Sequence, residues 1–116
     1  MKNWKLRGLL AAAAIVTMSF PALAGTSAYT ALGTITLYED YGSSLQITTS
    51  AAVINPAACA STSVYLPKST LAESDRLALA RDLLSAFLAG KRVQLKIDGT
   101  ACNGGFPSYY AVKIEP

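Results

Sequence analysis

Apolar and polar positions alternate with period two over several short stretches of the chain, and with a helical period over one long stretch. From Gly33 the run Thr34, Ile35, Thr36, Leu37, Tyr38 predicts a strand with Ile35 and Leu37 facing inward and Thr34, Thr36 and Tyr38 outward. The polar stretch 39–44 (EDYGSS) reads as a turn, and Leu45-Gln46-Ile47-Thr48 resumes the alternation, so the two runs predict a hairpin. Pro56 biases Asn55 away from helix, and a short third strand is predicted at 63–66, stopped by Pro67. Residues 71–89 predict one amphipathic helix. Thr70 and Glu73 have capping-box spacing, Leu77, Ala80, Leu83, Leu84, Phe87 and Leu88 fall on one arc, and Gly90 supplies a stop. Asp75, Asp82, Ser85 and Ala89 fall on the opposite side, while Lys91 and Arg92 suit the negative end of the helix dipole. Beyond the helix, Val93, Leu95 and Ile97 are expected inward, with Lys96 and Asp98 together on the solvent side of that strand. The last strand, about 108–115, is expected to turn Tyr110, Val112 and Ile114 inward and Tyr109 and Lys113 outward. Residues 25–30 read as a loose, polar start.

The first 24 residues have a different pattern. Lys2, Lys5 and Arg7 precede an apolar run from Leu9 to Phe20, and Ala22-Leu23-Ala24 offers small residues where a signal peptidase reads them. This predicts a cleaved signal peptide over 1–24 and a single domain over 25–116. The apolar run is shorter than the roughly 20 residues that span a bilayer, so no membrane span is expected after cleavage.

Removing the leader changes the charge. The 116-residue chain has ten Lys and Arg against seven Asp and Glu. Three of the bases lie in the leader, so the remaining 92 residues carry no net charge. A nucleic-acid partner, which requires a basic excess to release counterions, is therefore not expected. A 92-residue domain also buries a modest share of its surface, and a covalent constraint would add to its stability.

Cys59 and Cys102 are the two cysteines, and there is no histidine. In an exported protein the two thiols are expected to pair, closing a loop that stabilises by about 4 kcal/mol on the chain-entropy model. Without histidine, Cys–His and Ser–His catalysis and mixed Cys/His zinc sites are excluded, and two cysteines do not complete a structural zinc shell. No catalytic residue, metal or cofactor is implied, although a Ser–Lys dyad stays open on the residues alone. The chain is expected to be non-catalytic.

Three strands, a helix and two strands is the element order of an OB-fold. The expected class is therefore α+β, mainly β: a five-stranded Greek-key barrel with one amphipathic helix between strands 3 and 4. The segments GTITLYEDYGSSLQI, NPAACASTSVYL, LLSAFLAGKRVQLKIDGTACNGGFP and YYAVKIEP resemble small exported single-disulfide proteins of Gram-negative bacteria. In element order they also resemble the B subunits of AB5 toxins of the subtilase-cytotoxin type. That resemblance implies a periplasmic or secreted binding module, glycan-binding and arranged as a ring homo-oligomer. The alternative is a periplasmic structural or inhibitory protein with a protein partner. OB-folds commonly recognise ligands through loops at one barrel end. The candidate ligand residues are accordingly Tyr38, Asp40, Tyr41 and Ser43 around the first hairpin turn, with Asn103 and Phe106 in the loop after Cys102. For each tyrosine a half-buried barrel position is the competing and more frequent reading.

Overall fold

The computed structural model describes residues 24–42 and 44–116. The expected leader, apart from Ala24, lies outside the described residues. Six strands and one helix follow in the order β1 (Ala28–Tyr29), β2 (Gly33–Asp40), β3 (Leu45–Thr49), β4 (Leu66–Pro67), α1 (Glu73–Ala89), β5 (Arg92–Asn103) and β6 (Phe106–Ile114). Among the described residues the class is mainly β with a single helix, as expected. The sheet is mixed, in the order β3–β2–β5–β6–β4, with β1 paired to β5. The expected closed five-stranded barrel is replaced by an open sheet of six strands. Its outer members β3 and β4 share no ladder, and one isolated bridge, Ile47 to Tyr65, joins β3 to the residue before β4.

The extra strand is the stretch that read as a loose start. Ala28 and Tyr29 pair with Ile97 and Lys96, and Thr30 is buried beside them. The Thr30 hydroxyl accepts the Leu95 N–H (3.0 Å) where a ladder carbonyl would stand, and its own N–H donates to the Leu95 carbonyl (2.9 Å). A small polar residue therefore completes the edge of β5. Gly99 makes room for the same segment, because a Cβ there would lie 2.6 Å from the backbone N of Ser27.

The core is built by Ile35, Leu45, Ile47, Tyr65, Leu79, Leu83, Ala86, Val93, Leu95, Ile97 and Tyr109. Val93, Leu95 and Ile97 face inward as the alternation predicts. Inward and outward assignments fail at three register shifts, where extra residues reverse the faces. The β2–β3 register shifts between Ile35 and Leu37, and Tyr38 packs against the core instead of facing solvent. The β5–β6 register shifts at Ile97, leaving Tyr110 as the additional residue in β6. Tyr109 is thereby buried, and its hydroxyl donates to the Leu45 carbonyl (2.8 Å), while Tyr110 turns partly outward and Ile114 is exposed. A longer bulge at 98–101 turns Asp98 inward, so it does not share the solvent side with Lys96. Tyr65 is buried, and its hydroxyl accepts the Ile54 N–H (3.0 Å).

The helix begins at Glu73, two residues later than predicted. Ala72 is its N-cap and makes no side-chain bond, so the Thr70–Glu73 box does not form. Gly90 ends it in the left-handed conformation (φ 66°), with Lys91 donating to the Ala86 carbonyl and Gly90 to Phe87. The buried residues are Leu79, Leu83 and Ala86. The helix is thus rotated by about a quarter turn from the predicted apolar arc. Leu83 belongs to both faces, Phe87 stacks at the margin on Tyr38 (5.5 Å between centroids), and Leu77, Leu84 and Leu88 are exposed.

Candidate ligand-binding surface

Cys59 and Cys102 are bonded, with their Cα atoms 5.8 Å apart, within the range a disulfide tolerates. The Asn55 side chain prepares the first cysteine. It accepts the Cys59 N–H (2.8 Å) and donates to the Cys59 carbonyl (2.9 Å). Ser61 N–H then donates to the Gly105 carbonyl (3.0 Å), so the loop before β4 is fastened to the β5–β6 turn. This staple fixes one wall of a polar depression of about 260 Å³, lined by Ser44, Pro67, Lys68, Ser69, Arg76 and Asn103. A smaller depression, of about 40 Å³, shares Ser44 and Arg76 and reaches Asp40, Gly42 and Leu77.

The structure brings together some of the residues expected to bind ligand. Asp40 lines the smaller depression and is exposed, and its Oδ1 accepts the Gly42 N–H (2.7 Å), which shapes the turn. Tyr41 is 60% exposed beside it, with its phenol raised above the ordinary value by a hydrogen bond to Glu39. Asn103 lines the larger depression and is held by donating to the Pro67 carbonyl (2.6 Å). Tyr38 belongs elsewhere: it stacks on Phe87 and its hydroxyl faces the Ala80 carbonyl, so it positions the helix. Phe106 pairs with Asn103 in the ladder, is half-buried and lines neither depression. Ser43 lies outside the described residues.

A second set of residues was not grouped as a surface in the sequence. Lys68 lies over the Tyr110 ring (5.0 Å to the centroid), Lys96 between Tyr110 (5.9 Å) and Tyr29 (5.4 Å), and Lys113 over Tyr29 (4.2 Å). Through Lys68 and Arg76, which share the larger depression, these contacts form a continuous basic and aromatic track. It runs from the β2–β3 end across the outer face of β1, β5 and β6. Each contact has the distance of a cation–π interaction. Among the described residues, Lys96, Lys113 and Arg76 have no carboxylate within ion-pair distance. Asp75 and Asp82 border the helix side of Tyr110 and limit the track there.

Asp98 sits below this track. It is 1% exposed, and its Oδ2 is 3.2 Å from the Lys68 ammonium. Burial opposes its charged form. The Thr100 N–H (3.0 Å) and hydroxyl (2.9 Å), with Lys68, outweigh burial and hold its carboxyl below the ordinary range. Asp98 therefore anchors Lys68 between the depression and Tyr110. The sequence contained a partial signal for the track: Lys96 and Lys113 alternate outward on consecutive strands. Its missing parts were the bulge that turns Tyr110 out and the strand that brings Tyr29 beside Lys96.

Among the described residues, no helix is long and apolar enough to cross a membrane, and no three Cys, Asp or Glu side chains cluster as metal ligands. Comparison with protein families, with curated proteins and with solved structures gave no match to this chain.

Proposed function

We propose that this chain is an exported, non-catalytic binding module of OB-fold-like architecture, and that it binds glycans carrying carboxylate or sulfate groups. The observation that carries this reading is the track from Arg76 and Lys68 through Tyr110, Lys96 and Tyr29 to Lys113. Ammonium groups already cover the two tyrosine rings, so the track offers N–H and phenolic O–H donors rather than open faces for stacking bases. Donors of that kind suit acidic and hydroxyl groups better than nucleobases. The overall charge balance favours the same choice. The OB-fold-like part rests on the strand order together with the Ile47–Tyr65 bridge, which links the two outer strands as a barrel closure would. Export to the periplasm or beyond is supported by the disulfide and by the pattern of residues 1–24.

Titration of the oxidised protein with sulfated, carboxylated and neutral oligosaccharides tests this reading. Acidic ligands are expected to bind and to weaken with rising salt. Lys96→Ala with Lys113→Ala is expected to lower affinity by about tenfold or more. Equal binding of neutral and acidic ligands, or no binding at low salt, overturns it. A protein partner is the second reading, favoured by the exposed leucines of α1.

A further inference from the structure

The lysine–tyrosine track has two charged ends and a neutralised middle. At one end the Lys113 and Lys96 ammonium groups lie 4.2 and 5.4 Å from the centre of the same Tyr29 ring. At the other, Arg76 lines the polar depression with Asn103, Ser44 and Ser69. Among the described residues, none of these three cations has a carboxylate within ion-pair distance. Asp40 borders Arg76 in the smaller depression but lies beyond that distance. Lys68, between the ends, is already paired: its ammonium is 3.2 Å from Asp98 Oδ2 while it covers the Tyr110 ring. Asp75 and Asp82 border Tyr110 from the helix side, so the middle of the track repels an acidic group. The ends are well apart. Strands β5 and β6 separate Tyr29 on β1 from Lys68 just past β4, a span of three strand spacings or about 14 Å.

We infer that the ligand is a glycan chain with acidic groups on at least two non-adjacent sugars, one held between Lys96 and Lys113 and the other by Arg76 in the depression. The inference rests on the acidic-glycan reading above and narrows it. Two ammonium groups over one ring repel each other until an anion joins them, and a carboxylate or sulfate has oxygens enough to accept from both. A single acidic group meets one end and leaves the other in water. A chain that meets both gains the second contact within the same complex, without a second loss of translational freedom. Between the ends, its neutral sugar meets the Tyr110 phenol, where a further acidic group would face Asp75 and Asp82.

The test is calorimetric titration of the oxidised protein at low salt with three probes. Hyaluronan tetrasaccharide carries carboxylates on alternate sugars, sialyllactose carries one carboxylate, and chitotetraose is neutral. The hyaluronan fragment is expected to bind about tenfold tighter than sialyllactose. Arg76→Gln and the Lys96→Ala/Lys113→Ala variant are each expected to cost that fragment about tenfold. Sialyllactose is expected to lose affinity to one of these two variants and not to the other. Arg81→Gln controls for charge alone: Arg81 is exposed, about 140° round the helix from Arg76, and its loss is expected to leave both affinities unchanged. Equal affinity for the hyaluronan fragment and sialyllactose overturns the inference and leaves the acidic-glycan reading in place. So does an Arg76→Gln variant that binds the fragment as the natural chain does, or an Arg81→Gln loss equal to that of Arg76→Gln. Acidic probes that bind no better than chitotetraose overturn both.

Discussion

Near one end of β5, Arg92 reaches Glu115 across the ladder to the tail of β6; towards the other end, Asp98 meets Lys68 from the loop after β4. Both are ion pairs on one strand, but their surroundings differ. The Arg92 and Glu115 side chains are 55% and 28% exposed, in a stretch where the register from Val93 to Lys96 is regular. Asp98 is buried inside the 98–101 bulge, flanked by Gly99 pressed against residues 26–27, and followed by Cys102 of the disulfide. An exposed pair in a regular ladder competes with water and adds little. A buried carboxylate in an irregular segment constrains everything that touches it, because an unmet charge there is costly. The irregular end carries the staple, the anchored lysine and the polar depression. The regular end is held by its backbone ladder and by the buried side chains of Val93 and Leu95.

Removing the staple should have the largest effect. The bond closes a separation of 43 residues, for which loop-closure entropy gives about 4 kcal/mol. The Cys59→Ala/Cys102→Ala variant is expected to lose about that much stability in urea, a large share of the total for a domain of this size. Hydrogen exchange should rise most in residues 98–106 and in the loop around Asn55, and least in the Val93–Lys96 ladder. Uniform loss of protection along β5 would break the distinction between its two ends.

Asp98→Asn should follow. The substitution keeps the Thr100 contacts but leaves the Lys68 ammonium without its partner, at an expected cost of about 1–3 kcal/mol. The pH dependence is more specific. The folded carboxyl titrates below its unfolded value, so its stabilising effect is complete above the ordinary aspartate range near pH 4 and is lost as the pH falls through the lower folded value. Urea midpoints measured from pH 6 down to pH 2 should therefore fall more steeply for the natural chain than for Asp98→Asn. Parallel curves would mean that Asp98 is not held in its charged form by the fold.

The same two ends of β5 show what a sequence discloses. Alternation located β2, β3 and β5 and the inward set Val93, Leu95 and Ile97, because period-two burial holds wherever the ladder is regular. It failed at Tyr38, Asp98, Tyr109 and Tyr110, each at or beside a bulge, because one extra residue reverses every later side chain and leaves no mark in composition. The helix was legible as a helix but not in its rotation. The arc through Leu77, Leu84 and Leu88 is the most apolar, yet the sheet takes Leu79, Leu83 and Ala86, so hydrophobicity alone did not separate the face meeting this chain's own core from the face left outside. The candidate surface was half legible for the same reason. Asp40, Tyr41 and Asn103 lie in or beside turns, which punctuate a sequence visibly. The lysine–tyrosine track depends on register between three strands.

The exposed pair should show the smallest effect, and it is the control for the others. In the folded state the Arg92 guanidinium meets the Glu115 carboxylate, and that contact raises the Arg92 pKa and lowers the Glu115 pKa. Water offers both groups nearly equivalent partners, and holding two long side chains in one arrangement costs rotamer entropy. Glu115→Gln is therefore expected to leave the urea midpoint within experimental scatter at 0.15 M salt, roughly the ionic strength at which surface pairs are screened. The backbone bond from the Glu115 N–H to the Arg92 carbonyl (3.0 Å) survives the substitution and keeps the ladder closed. If Glu115→Gln destabilised the fold as much as Asp98→Asn, burial would not be what separates the two pairs. The stability of β5 would then have to come from charge along its whole length rather than from the stapled end.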